Sequence, residues 1–137
     1  AGDGILKNDI QLRVREYNLQ DKVHFLGNFA ESEKSKILSS FDCFAFPSYA
    51  EGFGIALVEA MSVGIPTVAS DLDVLKDVGG GSILYFKKGS DEDLKNKILE
   101  LTSNFDNIKD IQQREISRAN NFSIQKFWQA YSNLYNS

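Results

Sequence analysis

Cys43-Phe-Ala-Phe-Pro-Ser-Tyr-Ala-Glu-Gly-Phe-Gly-Ile-Ala-Leu-Val-Glu-Ala-Met-Ser-Val-Gly-Ile-Pro66 is the stretch that decides the fold. Its first four residues are apolar and include two aromatics, the composition of a short buried strand. Pro47 ends that run because it cannot donate to a ladder. Ser48-Tyr-Ala50 reads as a turn, and Gly52 and Gly54 remove side-chain bulk where a ligand would approach the backbone. Ile55 to Val63 reads as a mostly apolar helix. Gly64 is placed as its C-terminal cap, and Pro66 prevents continuation. Strand, glycine loop, helix and glycine stop make one βα unit.

The loop also carries charge. Glu51 and Glu59 stand eight residues apart around the glycine pair. A helix start flanked by glycine presents outward N–H groups and the positive end of the helix dipole, which together collect anions. Ionised carboxylates accept charge-assisted hydrogen bonds from hydroxyls. A phosphorylated sugar, or a nucleotide carrying one, presents both kinds of group.

Working outward, the same alternation repeats. Residues 5–18 carry Ile5, Leu6, Ile10, Leu12, Val14 and Tyr17 among charges and read as an amphipathic helix. Val23 to Leu26 reads as a strand closed by Gly27-Asn28, and Ser32/Glu33 to Phe41 as a second helix. Thr67 to Ser70 and Ile83 to Phe86 read as further strands, the latter after a Gly79-Gly-Gly81 turn. Ser90 or Asp91 caps a helix to about Leu101, and more helix runs from about Ile108 to Ala119. Ser123 caps a last helix bearing Phe127, Trp128, Tyr131, Leu134 and Tyr135, a stripe that reads as core. Strands alternating with helices imply an α/β, Rossmann-like, mostly parallel sheet with helices on both faces. Ligands of such sheets bind beyond the strand carboxyl ends. The loops at Gly27-Asn28, Ser48 to Gly54 and Ser70-Asp71 are therefore expected along one rim.

Composition bounds the function. The 137 residues suggest one domain. Fifteen basic against nineteen acidic residues give a net charge of −4, with no basic run of the kind that marks a nucleic-acid partner. The single cysteine, Cys43, excludes an intrachain disulfide; it reads as a small core residue in a reducing, cytoplasmic setting. No apolar run reaches the ~20 residues of a membrane span, and peripheral contact with the inner face of a membrane stays open. The single His24 reads as a strand residue facing solvent or partly packed, with no partner for nucleophilic or metal chemistry. Asp71-Leu-Asp73 is the nearest approach to a metal motif, and no metal site is expected.

The chain resembles the C-terminal, donor-binding half of a family 4 retaining glycosyltransferase (glycosyl transferases group 1), of the two-Rossmann-domain GT-B fold. Gly2-Asp-Gly4 resembles the glycine turn after that half's second strand, and Val23 to Gly27 its third strand and loop. Phe46 to Gly54 through Glu59-Ala-Met61 resembles the E-x7-E signature. Gly64 to Ser70 resembles the following turn and strand, and Ser123 to Tyr135 the closing aromatic helix. One departure stands out: Asp73-Val74 and Asp77 occupy positions where the family pattern has a glycine pair and then a glutamate.

The resemblance implies a nucleotide-diphosphate-sugar donor and sugar transfer with retention of configuration, by a hexosyltransferase of polysaccharide biosynthesis. It implies no cofactor beyond that substrate, with a UDP-sugar favoured over GDP-mannose. Glu51 is the residue expected at the reacting sugar. Ser48, Gly52, Phe53, Gly54, Ile55, Ala56 and Leu57 form the expected donor loop, although Phe53 reads first as a packing residue. Glu59 is expected on the ribose hydroxyls, and Gly27 and Asn28 beside the base. Two carboxylates also invite a glycosidase reading, but Glu59, within the helix, belongs farther along the nucleotide than the scissile bond.

The resemblance further implies that residues 1–137 form a single partial domain. The half-domain's first strand, its basic clamp and the N-terminal acceptor domain are expected elsewhere, in a longer parent. On that basis the isolated chain is expected to be inactive and to self-associate through an exposed sheet edge. Two rival readings remain at this point. One is a non-catalytic nucleotide or sugar-phosphate binding module of the same fold. The other is a related two-domain enzyme such as an epimerase or a glycogen-type synthase.

Overall fold

A computed structural model describes residues 4–103, 105–123 and 125–126. The chain divides into two compact units, residues 1–34 and 35–137. The first holds α1 (Lys7–Glu16), followed by turns and then a stretch without regular secondary structure. The helix expected over 5–18 is present but shorter, and none of its residues is buried. The strand expected at Val23 to Leu26 does not form. A strand exists only through ladder partners, and among the described residues the sheet contains three other strands and not this one. Gly27-Asn28 therefore does not follow a strand end.

The chain passes into the second unit within α2 (Glu31–Leu38). Then follow β1 (Phe44–Phe46), α3 (Ile55–Ser62), β2 (Thr67–Ser70), α4 (Asp73–Gly79), a 3-10 turn at Gly80–Ser82, β3 (Leu84–Phe86), α5 (Asp91–Ser103), α6 (Phe105–Ala119) and a 3-10 turn at Asn120–Phe122. The sheet runs β1-β2-β3, parallel throughout, with Phe46 opposite Ala69 and Ala69 opposite Tyr85. Side chains alternate across it. Phe46, Ala69 and Tyr85 join Leu57 and Met61 of α3 and Leu75 and Val78 of α4. Val68, Leu84 and Phe86 face Leu94, Ile98 and Leu101 of α5. The α/β class with both faces covered is thus the one read from the sequence.

Three local outcomes differ from the reading. β1 is an edge strand and only partly buried; its middle residue Ala45 is exposed, so the expected buried strand holds on one face alone. Cys43 is half-buried in the cluster with Val68 and Phe86, and burial pushes its thiol pKa up, with Glu115 and Asp42 adding to the rise. α4 was not anticipated. Its signal was Asp73 in the first turn ahead of Val74, Leu75 and Val78, a short apolar stripe at helical spacing. Ser90 caps α5 as expected, its Oγ accepting from the Asp93 N–H at 3.2 Å. Ser123 Oγ accepts from the Lys126 N–H at 3.4 Å; the expected aromatic helix from Phe127 onward lies outside the described residues.

Gly64 ends α3 in the left-handed region, at φ +70°. A Cβ there would stand 2.9 Å from Ile116 Cδ1 of α6. Gly64→Ala is expected to cost about 1–2 kcal/mol in backbone strain and a further ~1–3 kcal/mol in overpacking. Urea unfolding measures the sum. Adding Ile116→Val removes the nearest methyl and should recover the packing share only; full recovery would refute the backbone component.

Candidate functional site

The loop between β1 and α3 leaves the carboxyl end of its strand, where a parallel α/β sheet places its ligands. Because β1 is the edge strand, the ends of β2 and then β3 follow on one side of it. After β2, Asp71 donates its N–H to the Phe86 carbonyl at 2.9 Å and accepts the Lys88 N–H on Oδ1 at 2.8 Å. Asp71 is thereby engaged in tying the β2 and β3 loops together. Beside them, the Tyr49 ring lies against Gly89, its hydroxyl 3.4 Å from where a Cβ would be. Among the described residues no group of three or more His, Cys, Asp or Glu side chains is placed to hold a metal ion.

The glycine loop has an open and a closed member. Gly52 is exposed, and a Cβ built there meets nothing within 4 Å. Gly54 is buried at φ +89°, and a Cβ there would lie 2.8 Å from Leu75 Cδ2. Gly54 is also the N-cap of α3 and supplies no capping side chain. Its carbonyl accepts from the N–H groups of Leu57, at 2.9 Å, and Val58, at 3.2 Å. The preceding N–H groups, of Ile55 and Ala56, belong to the first turn, where a helix provides no acceptor of its own. Ile55 is 67% exposed, so the helix mouth is not covered within this unit.

The carboxylates take distinct positions. Glu51 is half-buried, and its Oε1 accepts from Ser48 Oγ at 2.9 Å. That bond closes the turn through which the strand enters the loop. Glu59 lies on the outward stripe of α3 with Ile55 and Ser62, whereas Leu57, Ala60 and Met61 point into the core. Leu57 contributes packing, with its side chain fully buried and its N–H committed to Gly54. Phe53 is half exposed and meets the Phe122 ring edge-on at 5.6 Å. The second unit therefore holds Ser48, Glu51, Gly52, Phe53, Gly54, Ile55, Ala56, Leu57 and Glu59 on one loop and helix. Gly27, at φ +66°, and the exposed Asn28 belong to the first unit.

Two groups escaped the sequence reading. Phe122 and Arg118 were unremarkable in a chain with ten phenylalanines and many charges; their contacts join segments distant in sequence. Glu115 on α6 is wholly buried, and its Oε1 accepts the Thr67 N–H at the start of β2 at 2.9 Å. Its Oε2 has no partner among the described residues. Loss of water pushes its pKa up to about 8, against the opposing pull of the Thr67 N–H and Arg114. A separate open cavity of about 990 Å³ lies between Gly79–Ser82 and the α6 side chains Arg114 and Arg118, away from the glycine loop.

Residues 1–119 match the family profile described as glycosyl transferases group 1. The chain belongs to that family. Among the group 1 relatives, the O-antigen biosynthesis glycosyltransferase WclY of Escherichia coli is 29% identical over 143 residues, covering 99% of this chain and 37% of its own length. Among solved structures, sucrose-phosphate synthase from Thermosynechococcus elongatus superposes with a TM-score of 0.85 at 25% identity, over 97% of this chain and 35% of that one. Anabaena HepE, solved in complex with UDP, gives a TM-score of 0.88 at 22% identity over 98% of this chain and 39% of that one. The chain thus spans little more than a third of the length of these group 1 and GT-B proteins. Among the described residues no helix is long and apolar enough to cross a membrane.

Proposed function

We propose that this chain is the donor-nucleotide-binding half of a retaining hexosyltransferase, and that it takes a nucleoside-diphosphate sugar on the Ser48–Glu59 loop and helix. The observation that carries the reading is the start of α3. Gly54 opens the helix without a capping side chain at the carboxyl end of β1, and it is flanked by Glu51 and Glu59. In this reading the Ile55 and Ala56 N–H groups hold the diphosphate and the open face of Gly52 lets it approach. Glu59 accepts from the ribose hydroxyls, and Glu51, steadied by Ser48, from the sugar. The proposed site is confined to the second unit. A UDP-sugar is the favoured donor, in keeping with the UDP bound by HepE.

In transfer, the bond between the anomeric carbon and the diphosphate oxygen breaks, and its electron pair leaves with the diphosphate. The acceptor hydroxyl attacks the same face, and its proton passes to the departing phosphate oxygen. The amides of the α3 mouth stabilise the growing negative charge on the leaving group. The acceptor domain and the basic clamp are proposed to belong to a longer parent, in which residues 1–137 act as one partial domain. The chain by itself is expected to give no turnover. The outer edge of β1 is the edge through which it is proposed to self-associate, which light scattering reads directly. A cytoplasmic setting, where nucleotide sugars are consumed, accords with the single thiol.

Titration with UDP and UDP-glucose tests the site. Glu59→Ala is expected to weaken UDP binding by about 1–3 kcal/mol through loss of charged hydrogen bonds. Glu51→Ala should leave UDP affinity unchanged and reduce only the added affinity conferred by the sugar. A folded Glu59→Ala protein with undiminished UDP affinity would remove Glu59 from the site.

A further inference from the structure

Two supports stand behind the glycine loop, and one side chain touches both. The first support is Phe122, in the turn after α6, whose ring meets Phe53 at an interplanar angle of 80°. The guanidinium of Arg118 lies over the Phe122 ring, 5.4 Å from its centroid. The second support is α4, whose Leu75 fills the space against Gly54. The same guanidinium donates from Nε to the Val78 carbonyl at 2.8 Å and from Nη2 to the Asp77 carbonyl. Those carbonyls belong to the last turn of α4, where acceptors lack intrahelical donors and the dipole favours a cation. Tyr85 helps from the sheet, its hydroxyl shared between the Leu75 and Gly80 carbonyls at 3.1 and 2.9 Å.

We propose that Arg118 is a positioning residue for the nucleotide site: its one planar group fixes Phe122 behind Phe53 and α4 behind Gly54, and so sets the Gly52–Gly54 loop. The inference rests on the reading of that loop as the donor site. Lysine cannot replace this group. An ammonium offers no flat face to a ring and no two-pronged fork for neighbouring carbonyls. Tyr85 keeps its own bonds to α4, so the fold should survive the loss.

The test compares Arg118→Lys with the parent protein by three measurements: the melting temperature, the amide resonances of Gly52 and Gly54 without ligand, and the dissociation constant for UDP. The expected result is a melting point lowered by only a few degrees, displaced Gly52 and Gly54 resonances, and UDP affinity reduced about tenfold. Arg114→Lys, one turn earlier on α6, should change none of the three. Phe122→Leu, which keeps an apolar filler but removes the ring edge, should reproduce the effects on the loop, and it stands in if Arg118→Lys fails to fold. Unchanged glycine resonances and UDP affinity in a folded variant would overturn the proposal, whatever the melting temperature. If the parent protein itself binds no UDP, the donor-site reading fails, and the resonances alone still decide whether Arg118 sets the loop.

Discussion

Gly52→Ala is expected to bind UDP at least tenfold more weakly, about 1.4 kcal/mol or more, while melting at the parent temperature. Gly54→Ala, two residues on, is expected to lose stability as well. The difference follows from what a methyl group meets at each position. At Gly52 it projects into open space, so the folded protein tolerates it, but it occupies the approach to the helix mouth. At Gly54 it enters a backbone at φ +89° and presses on the buried Leu75. Left-handed strain costs about 1–2 kcal/mol and overpacking ~1–3 kcal/mol. At roughly 4 °C per kcal/mol for a domain of this size, the melting point should fall by about 8–20 °C. Calorimetry of both variants with and without UDP separates the effects. A Gly52→Ala protein that binds UDP normally would show that nothing negatively charged rests on that mouth.

The second large effect concerns Glu115. Its carboxyl titrates near 8 in the folded protein, against an ordinary value of 4.5. The native state therefore keeps a proton that the unfolded chain releases between those values. Stability from this group is full below about pH 4.5, falls as pH rises toward 8, and is level above. The decline across the window is on the order of 5 kcal/mol. Glu115→Gln keeps an oxygen for the Thr67 N–H and cannot ionise. Its urea midpoint is expected to match the parent near pH 5 and to exceed it at pH 8.5. Parallel midpoints at the two pH values would mean that the carboxyl finds a charge-stabilising partner.

Legibility in the sequence followed the range of the interactions involved. Gly64 and Pro66 mark the end of α3, and Ser90 the start of α5, because caps and stops are settled by neighbours within a turn. Thr67 to Ser70 was found to the residue because a fully buried parallel strand is apolar on both sides apart from its hydroxyls. Val23 to Leu26 was misread for the complementary reason. Its residues have strand propensity, but propensity supplies no ladder partner. Ala45 looked buried because alternation cannot say whether a second layer covers both faces of an edge strand. For the candidate site, the loop and its two glutamates were legible, since glycine pairs and charge are local marks. The buttress of Phe122 and Arg118 and the Glu115 bond to Thr67 were not. Each joins segments brought together only by packing, and the residues have ordinary neighbours in the chain.

The strand order has a kinetic consequence. Because β1, β2 and β3 lie side by side in the order of synthesis, each new strand docks on the one made just before it, after a single helical crossover. Parallel sheets are slow to form when partners are far apart along the chain, and here every ladder closes over a short span. The latch from α6 to the first residue of β2 closes over 48 positions. It spans a longer stretch of chain than either ladder, so its closure costs the most loop entropy of the three.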